Sequence, residues 1–139
     1  LETQGLILIF QLTPTGSLPF KLKYTDPVLI DDIASDFPSL RIILSVGTPL
    51  PWIERVEFLA KSRKNVFIEL SFSSPAQIPE CFSSIERLPE KFVYGSGMGD
   101  VNSLKRRIME FVSLPYPEEV LDLILYKNAE SLFLHNLQG

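Results

Sequence analysis

At 139 residues, 45% hydrophobic and 22% charged, the chain is of one-domain size and long enough to bury a core, which excludes a disordered or low-complexity protein. A formal charge of −4 argues against a nucleic-acid partner, and the longest apolar run, Leu6–Phe10, is far too short to span a bilayer. The single cysteine, Cys81, cannot close an internal disulfide, so a reducing, cytoplasmic setting is the expectation. Glu2 stands where a signal peptide would carry basic residues, and a chain that begins at Leu1 rather than Met reads as processed or as part of a longer one.

In chain order, Gly5–Leu12 is a continuous apolar run bounded by Gly5 and by Thr13-Pro14-Thr15-Gly16, the pattern of a strand covered on both faces in a parallel sheet. Its last polar residue, Gln11, falls at the C-terminal end. After a loop to Thr25, Asp26-Pro27 predicts a helix start and Pro38 its stop, with Leu29, Ile30, Ile33 and Phe37 on one face. Leu40–Val46 predicts a second buried strand, ending at Ser45-Val46-Gly47. The turn Thr48–Pro51 leads to a helix from about Trp52 to Lys64, with Trp52, Val56, Leu59 and Ala60 inward.

Asn65–Ser71 predicts a third strand, and a weaker helical stretch runs from Ser73 to about Leu88. A fourth strand, Phe92–Gly97, delivers its end into the glycine-rich FVYGSGMGD stretch. A helix around Asn102–Leu114 (Leu104, Ile108, Phe111 and Val112 inward) and a last helix, Glu118–Leu134, complete the chain. Four strand–turn–helix units in succession predict an α/β fold with a parallel sheet in sequential order, as a single domain over residues 1–139.

The segments DPVLIDDIASDFPSLRIILSVG (26–47) followed by Trp52, KNVFIELS (64–71), FVYGSG (92–97) and EEVLDLILYKNAESLFL (118–134) together resemble the C-terminal half of the amidohydrolase-related, metal-dependent hydrolases. The resemblance implies a (β/α)8 TIM barrel, with this chain supplying the last four βα units plus a closing helix marked by Asn128-Ala129 and Leu132-Phe133. It also implies hydrolase or decarboxylase chemistry on a divalent metal such as zinc. The chain departs from the family at three strand tips. Gln11 stands where the family carries a His, Ser45 where it carries a second His ahead of Gly47, and Gly97 where it carries an Asp. A catalytic divalent ion takes about three N or O protein ligands and an open position for water. Gln and Ser are poor neutral ligands and Gly offers none, so the expectation is no metal and no cofactor.

The ligand-binding candidates are accordingly Gln11, Ser45, Ser96, Asp100 and Trp52. Asp100 could swing into the site as a displaced acid, although its position before a helix favours an N-cap. Trp52 could line a pocket at the strand tips or pack its helix on the sheet. Glu69 alternates with Phe67 and Ser71 and so points into a barrel interior, where Arg41 is its candidate partner. Lys105-Arg106-Arg107 reads as a solvated helix face and His135 as a surface histidine. Ser96 is no hydrolase nucleophile, since no base accompanies it.

Two functions remain open. One is a non-catalytic relative that binds a small molecule or acts as a scaffold. The other is half of an active metal-dependent hydrolase or decarboxylase whose remaining ligands lie outside this chain. In either case four strands close only half a barrel of about eight. A sheet face bearing Ile7, Ile9, Ile43 and Val93, and two sheet edges, would then need a missing N-terminal half, a second copy or another subunit to cover them.

Overall fold

The computed structural model describes residues 1–12, 21–47, 51–97 and 100–134. Four strands, β1 (Ile7–Gln11), β2 (Arg41–Gly47), β3 (Val66–Phe72) and β4 (Phe92–Val93), form one sheet in the order β1-β2-β3-β4. All three pairings are parallel, as the alternation of strand and helix predicts. The register aligns Ile9 with Ile43 and Phe67, and Gln11 with Ser45 and Glu69.

Because side chains alternate across a strand, one face of the sheet carries Leu8, Phe10, Ile42, Leu44, Val46, Val66, Ile68, Leu70 and Phe92. These residues belong to the main core, together with Val56, Leu59 and Ala60 of α2 (Ile53–Ser62) and Ile30 and Ala34 of α1 (Val28–Asp36). Pro38 ends α1 as expected, and Asp26 accepts the Val28 N–H through Oδ1 at 3.0 Å, satisfying one donor of the first turn. Asn65 then ties the end of α1 to the start of β3. Its buried Nδ2 donates to the carbonyls of Ala34, Phe37 and Leu40 at 2.9–3.2 Å.

The helix faces are narrower than the sequence pattern implies. Leu29 and Phe37 of the first helical segment are exposed, as are Leu104 and Val112 of α4 (Val101–Val112), where Phe111 alone is fully buried. A helix laid on one sheet face buries only the arc that touches it, and the apolar stripes here extend beyond that arc. The stretch after β3 holds only a four-residue helix, α3 (Ile78–Cys81), entered through a 3-10 turn at Pro75–Gln77.

The fourth strand is shorter than expected, two residues rather than the run to Gly97. Its continuation belongs to the closing helix. That helix consists of α5 (Glu118–Asp122), a π-helical segment (Leu123–Lys127) and α6 (Asn128–Leu134). The Tyr94 N–H donates to the Ile124 carbonyl at 2.8 Å, and Asn128 Nδ2 donates to the carbonyls of Phe92 and Pro89 at 2.7 and 2.8 Å. Phe92 and Tyr94 present their backbone groups on the same side of the strand. The outer edge of β4 is therefore occupied by this helix rather than exposed, a correction to the expectation of two open edges.

The second sheet face is also partly covered. Ile43 and Val93 are buried beneath Leu132, with Ile7, Phe67 and Ala129 packed around them, while Ile9 remains 58% exposed. Arg41 holds the helix there by donating to the Leu132 carbonyl and, at 2.8 Å, to the Gly5 carbonyl. Of the four residues expected on an open face, the closing helix thus shields two. No helix among the described residues is long and apolar enough to cross a membrane.

Candidate functional site

The C-terminal ends of parallel strands point one way, and here they bring a polar row to one end of the second sheet face. Gln11, Ser45 and Glu69 are register neighbours on β1, β2 and β3. Ser71 follows one alternation further along β3, and Gly95 lies two residues beyond the end of β4.

Glu69 is the centre of this row, and its partner is not Arg41. The Ser45 hydroxyl donates to Glu69 Oε2 at 2.5 Å, and the Ser71 hydroxyl donates to the same oxygen at 2.7 Å. The Ser71 backbone N–H donates to Oε1 at 2.9 Å. Arg41 instead spends its guanidinium on backbone carbonyls at the opposite end of the strands. Alternation along NVFIELS correctly turns Glu69 toward this face. What it cannot supply is the partner, because Ser45 lies 24 residues away in the chain and meets Glu69 only through strand register.

Gly95 makes room for the carboxylate. A Cβ built on Gly95 would lie 1.7 Å from Glu69 Oε1 and 2.8 Å from Ser71 Cβ, so a side chain there cannot coexist with this arrangement. Gly97 adopts a φ of +66°, a left-handed conformation that favours glycine, and its Cβ position lies 3.0 Å from the Ser71 carbonyl. Gly97 thus sits against the end of β3 beside the Glu69 cluster, and the requirement for glycine at 95 is structural.

The other candidates take local roles. Ser96 donates its hydroxyl to the Gly97 carbonyl at 3.0 Å. Trp52 lies partly buried against the main core with the Arg55 guanidinium 5.6 Å from its ring centroid, which is the helix-packing alternative. Asp100 is the N-cap of α4, accepting from the N–H groups of Asn102 and Ser103 at 2.7 and 3.0 Å. The Ser103 and Asn102 N–H groups hold its carboxyl below the ordinary value of 3.8.

A depressed folded-state pKa means that the cap contributes stability above the unfolded value and loses it as pH falls through the folded one. Asp100→Ala should therefore lower the melting temperature at pH 7, and the gap from the parent should close under strongly acidic conditions. Asp100→Asn, which keeps the acceptor oxygen, should melt near the parent at pH 7. Thermal melts across pH check both.

Arg107 is the residue that the basic-run reading missed. Lys105 and Arg106 are exposed, but Arg107 is half-buried and donates to the carbonyls of Ser71 and Ser73 at 2.9 and 3.0 Å. It pins the end of β3, and with it the Ser71 groups that hold Glu69. The Tyr94 hydroxyl lies near this guanidinium, and burial pushes its pKa up, with Arg107 opposing. The only sequence signal for Arg107 is its position one turn before Phe111, the helix's buried residue.

The donor set does not fit a catalytic divalent ion. Gln11 and Ser45 are neutral, Gly97 has no side chain, and the one carboxylate of the row is already engaged by three donors. Among the described residues, no group of three His, Cys, Asp or Glu side chains could hold a metal. His135 and the segments 13–20, 48–50 and 98–99 lie outside the described residues. Among the described residues, concavities of about 400 to 600 Å³ open on other parts of the surface, and neither Gln11, Ser45 nor Gly97 lines these.

Neither curated proteins nor solved structures return a match to this chain. A family model described as amidohydrolase matches residues 1–134, nearly the whole of it. With the parallel α/β sheet in sequential order, that match establishes that the chain belongs to the amidohydrolase family.

Proposed function

We propose that this chain is a degenerate, non-catalytic segment of an amidohydrolase-like (β/α)8 barrel, its last four βα units plus the closing helix, serving as a small-molecule-binding or scaffold domain. The observation that carries the reading is the chemistry of the polar row. The three family-equivalent positions offer an amide, a hydroxyl and no side chain. The adjacent carboxylate accepts three hydrogen bonds from serine groups. A bound zinc ion would supply a water whose pKa lies about eight or nine units below that of bulk water. The residues of this row are poorly suited to hold it, and hydroxide attack at neutral pH is then not available.

Dialysis against zinc or manganese, followed by elemental analysis and an ester or lactone hydrolysis assay, tests the reading. No stoichiometric metal and no hydrolysis above buffer are expected. Stoichiometric binding abolished by Gln11→Ala or Ser45→Ala would overturn it.

One observation favours the second reading, in which the chain is half of an active metal-dependent hydrolase or decarboxylase. β1 pairs only with β2 among the described strands, and Ile9 beside that edge is 58% exposed. An apolar residue on an edge strand suits the addition of further strands there, as barrel closure requires. A missing N-terminal half, a second copy or another subunit would supply them, and with them the missing ligands. Both readings expect the β1 side to be covered. Light scattering on this chain alone should accordingly show self-association, and a stable monomer would count against a covered face.

A further inference from the structure

We infer that the polar row at the strand ends recognises hydrogen-bond donors, an organic ammonium group above all, and rejects anions, with Glu69 as the binding carboxylate. The inference rests on the small-molecule reading above and adds the class of ligand to it.

The number of protons at the row decides what it accepts. An ionised carboxylate only accepts, offering about four lone-pair positions, and a serine hydroxyl has one proton to give. Ser45 gives its proton to Glu69 Oε2, and so does Ser71. The Ser71 N–H goes to Oε1. Both serine oxygens are then left as acceptors, and Oε1 retains a lone pair of its own. Ser45 and Ser71 are themselves buried, so their hydroxyls are held within this arrangement.

At the position of a would-be metal ligand, Ser45 therefore presents lone pairs and not a proton, which the residue type alone does not reveal. A carboxylate or phosphate ligand arriving here would face a like charge about one hydrogen bond away, with no serine proton to meet it. An N–H or O–H group that reaches the half-buried Glu69 carboxylate would meet an acceptor and no competing proton donor from the serines. A positive charge adds Coulombic attraction and a charge-assisted hydrogen bond, roughly twice as strong as a neutral one. The absence of a side chain at Gly95 preserves the geometry, since any Cβ there would displace Oε1.

Three probes of matched shape separate the possibilities: n-butylammonium, 1-butanol and butyrate, each titrated into the 15N-labelled chain. The backbone amides of Gln11, Ser45, Ser71, Gly95 and Gly97 are followed by NMR. Butylammonium should shift these amides saturably and at least tenfold more tightly than butanol, and butyrate should leave them unmoved at the same concentrations. Glu69→Gln, which keeps the shape and removes the charge, should weaken butylammonium at least tenfold. The comparison among probes on the unaltered chain stands even if that variant fails to fold.

Butyrate binding at these amides, or butylammonium binding untouched by Glu69→Gln, would overturn the inference while leaving a small-molecule seat in place. No response to any probe would overturn the inference. If a zinc titration of the same sample then showed stoichiometric binding at these amides, the non-catalytic reading would fall with it.

Discussion

Gly95→Ala should lower stability by about 3 kcal/mol, combining the usual cost of overpacking with the loss of charged hydrogen bonds around Glu69. The new methyl group would sit 1.7 Å from Glu69 Oε1 and 2.8 Å from Ser71 Cβ. The carboxylate can swing away, but only by giving up the two serine hydroxyls and the Ser71 N–H that it now holds. Ser71 cannot swing away, because its Cβ is fixed to the β3 backbone. A double-mutant cycle separates the two contributions. In a Glu69→Ala background the same glycine substitution should cost about 1–2 kcal/mol less, since the larger conflict has been removed. Urea denaturation of the four proteins measures this directly. Additive losses would show that Gly95 and Glu69 act independently, and the polar row would not be built on their contact.

Phe111→Ala should cost about 3–5 kcal/mol, the range for truncating a buried aromatic residue. Phe111 is the fully buried side chain of α4, and its ring lies 4.6 Å from that of Tyr94. Other apolar residues of this helix, among them Val101, Leu104, Met109 and Val112, are exposed. Docking of α4 thus depends on this ring, on half-buried Ile108 and on the Arg107 hydrogen bonds to Ser71 and Ser73. Amide exchange should accordingly accelerate across α4 before it does in β2 or β3, and the amides of Ser71 and Ser73 should follow the helix. Phe111→Leu, which fills most of the space, should cost about 1 kcal/mol. A loss below 1 kcal/mol for the alanine variant would mean that α4 is held by something other than this ring.

The two substitutions bear on the site from opposite sides. Gly95 keeps space open for the carboxylate, and α4 carries the arginine that steadies the strand end supplying two of its three hydrogen bonds. A small-molecule seat on this face depends on both, and a scaffold role on neither. Ligand shifts that vanish in Gly95→Ala while the chain remains folded would favour the seat.

Local pattern alone determined most of the architecture. Apolar runs bounded by turn residues marked the four strands, and helical periodicity after each, weakest after the third, made parallel, sequential pairing the natural arrangement. The N-cap role of Asp100 was equally local, since cap and helix are adjacent in the chain. The tertiary structure decided what depends on partners distant in sequence. Strand register placed Ser45 against Glu69 and turned a lone carboxylate into a hydrogen-bonded centre, while Arg41 was drawn to the Leu132 and Gly5 carbonyls instead. Return of the closing helix to the sheet capped the end of β4 and buried Ile43 and Val93 on the face expected to be open. Arg107 looks like one more charge in a basic run until α4 docks and brings it to the end of β3. The division follows from range. Helix and strand propensity are properties of a few neighbouring residues, whereas the proton count at Ser45 is set by a contact that exists only once three strands lie side by side.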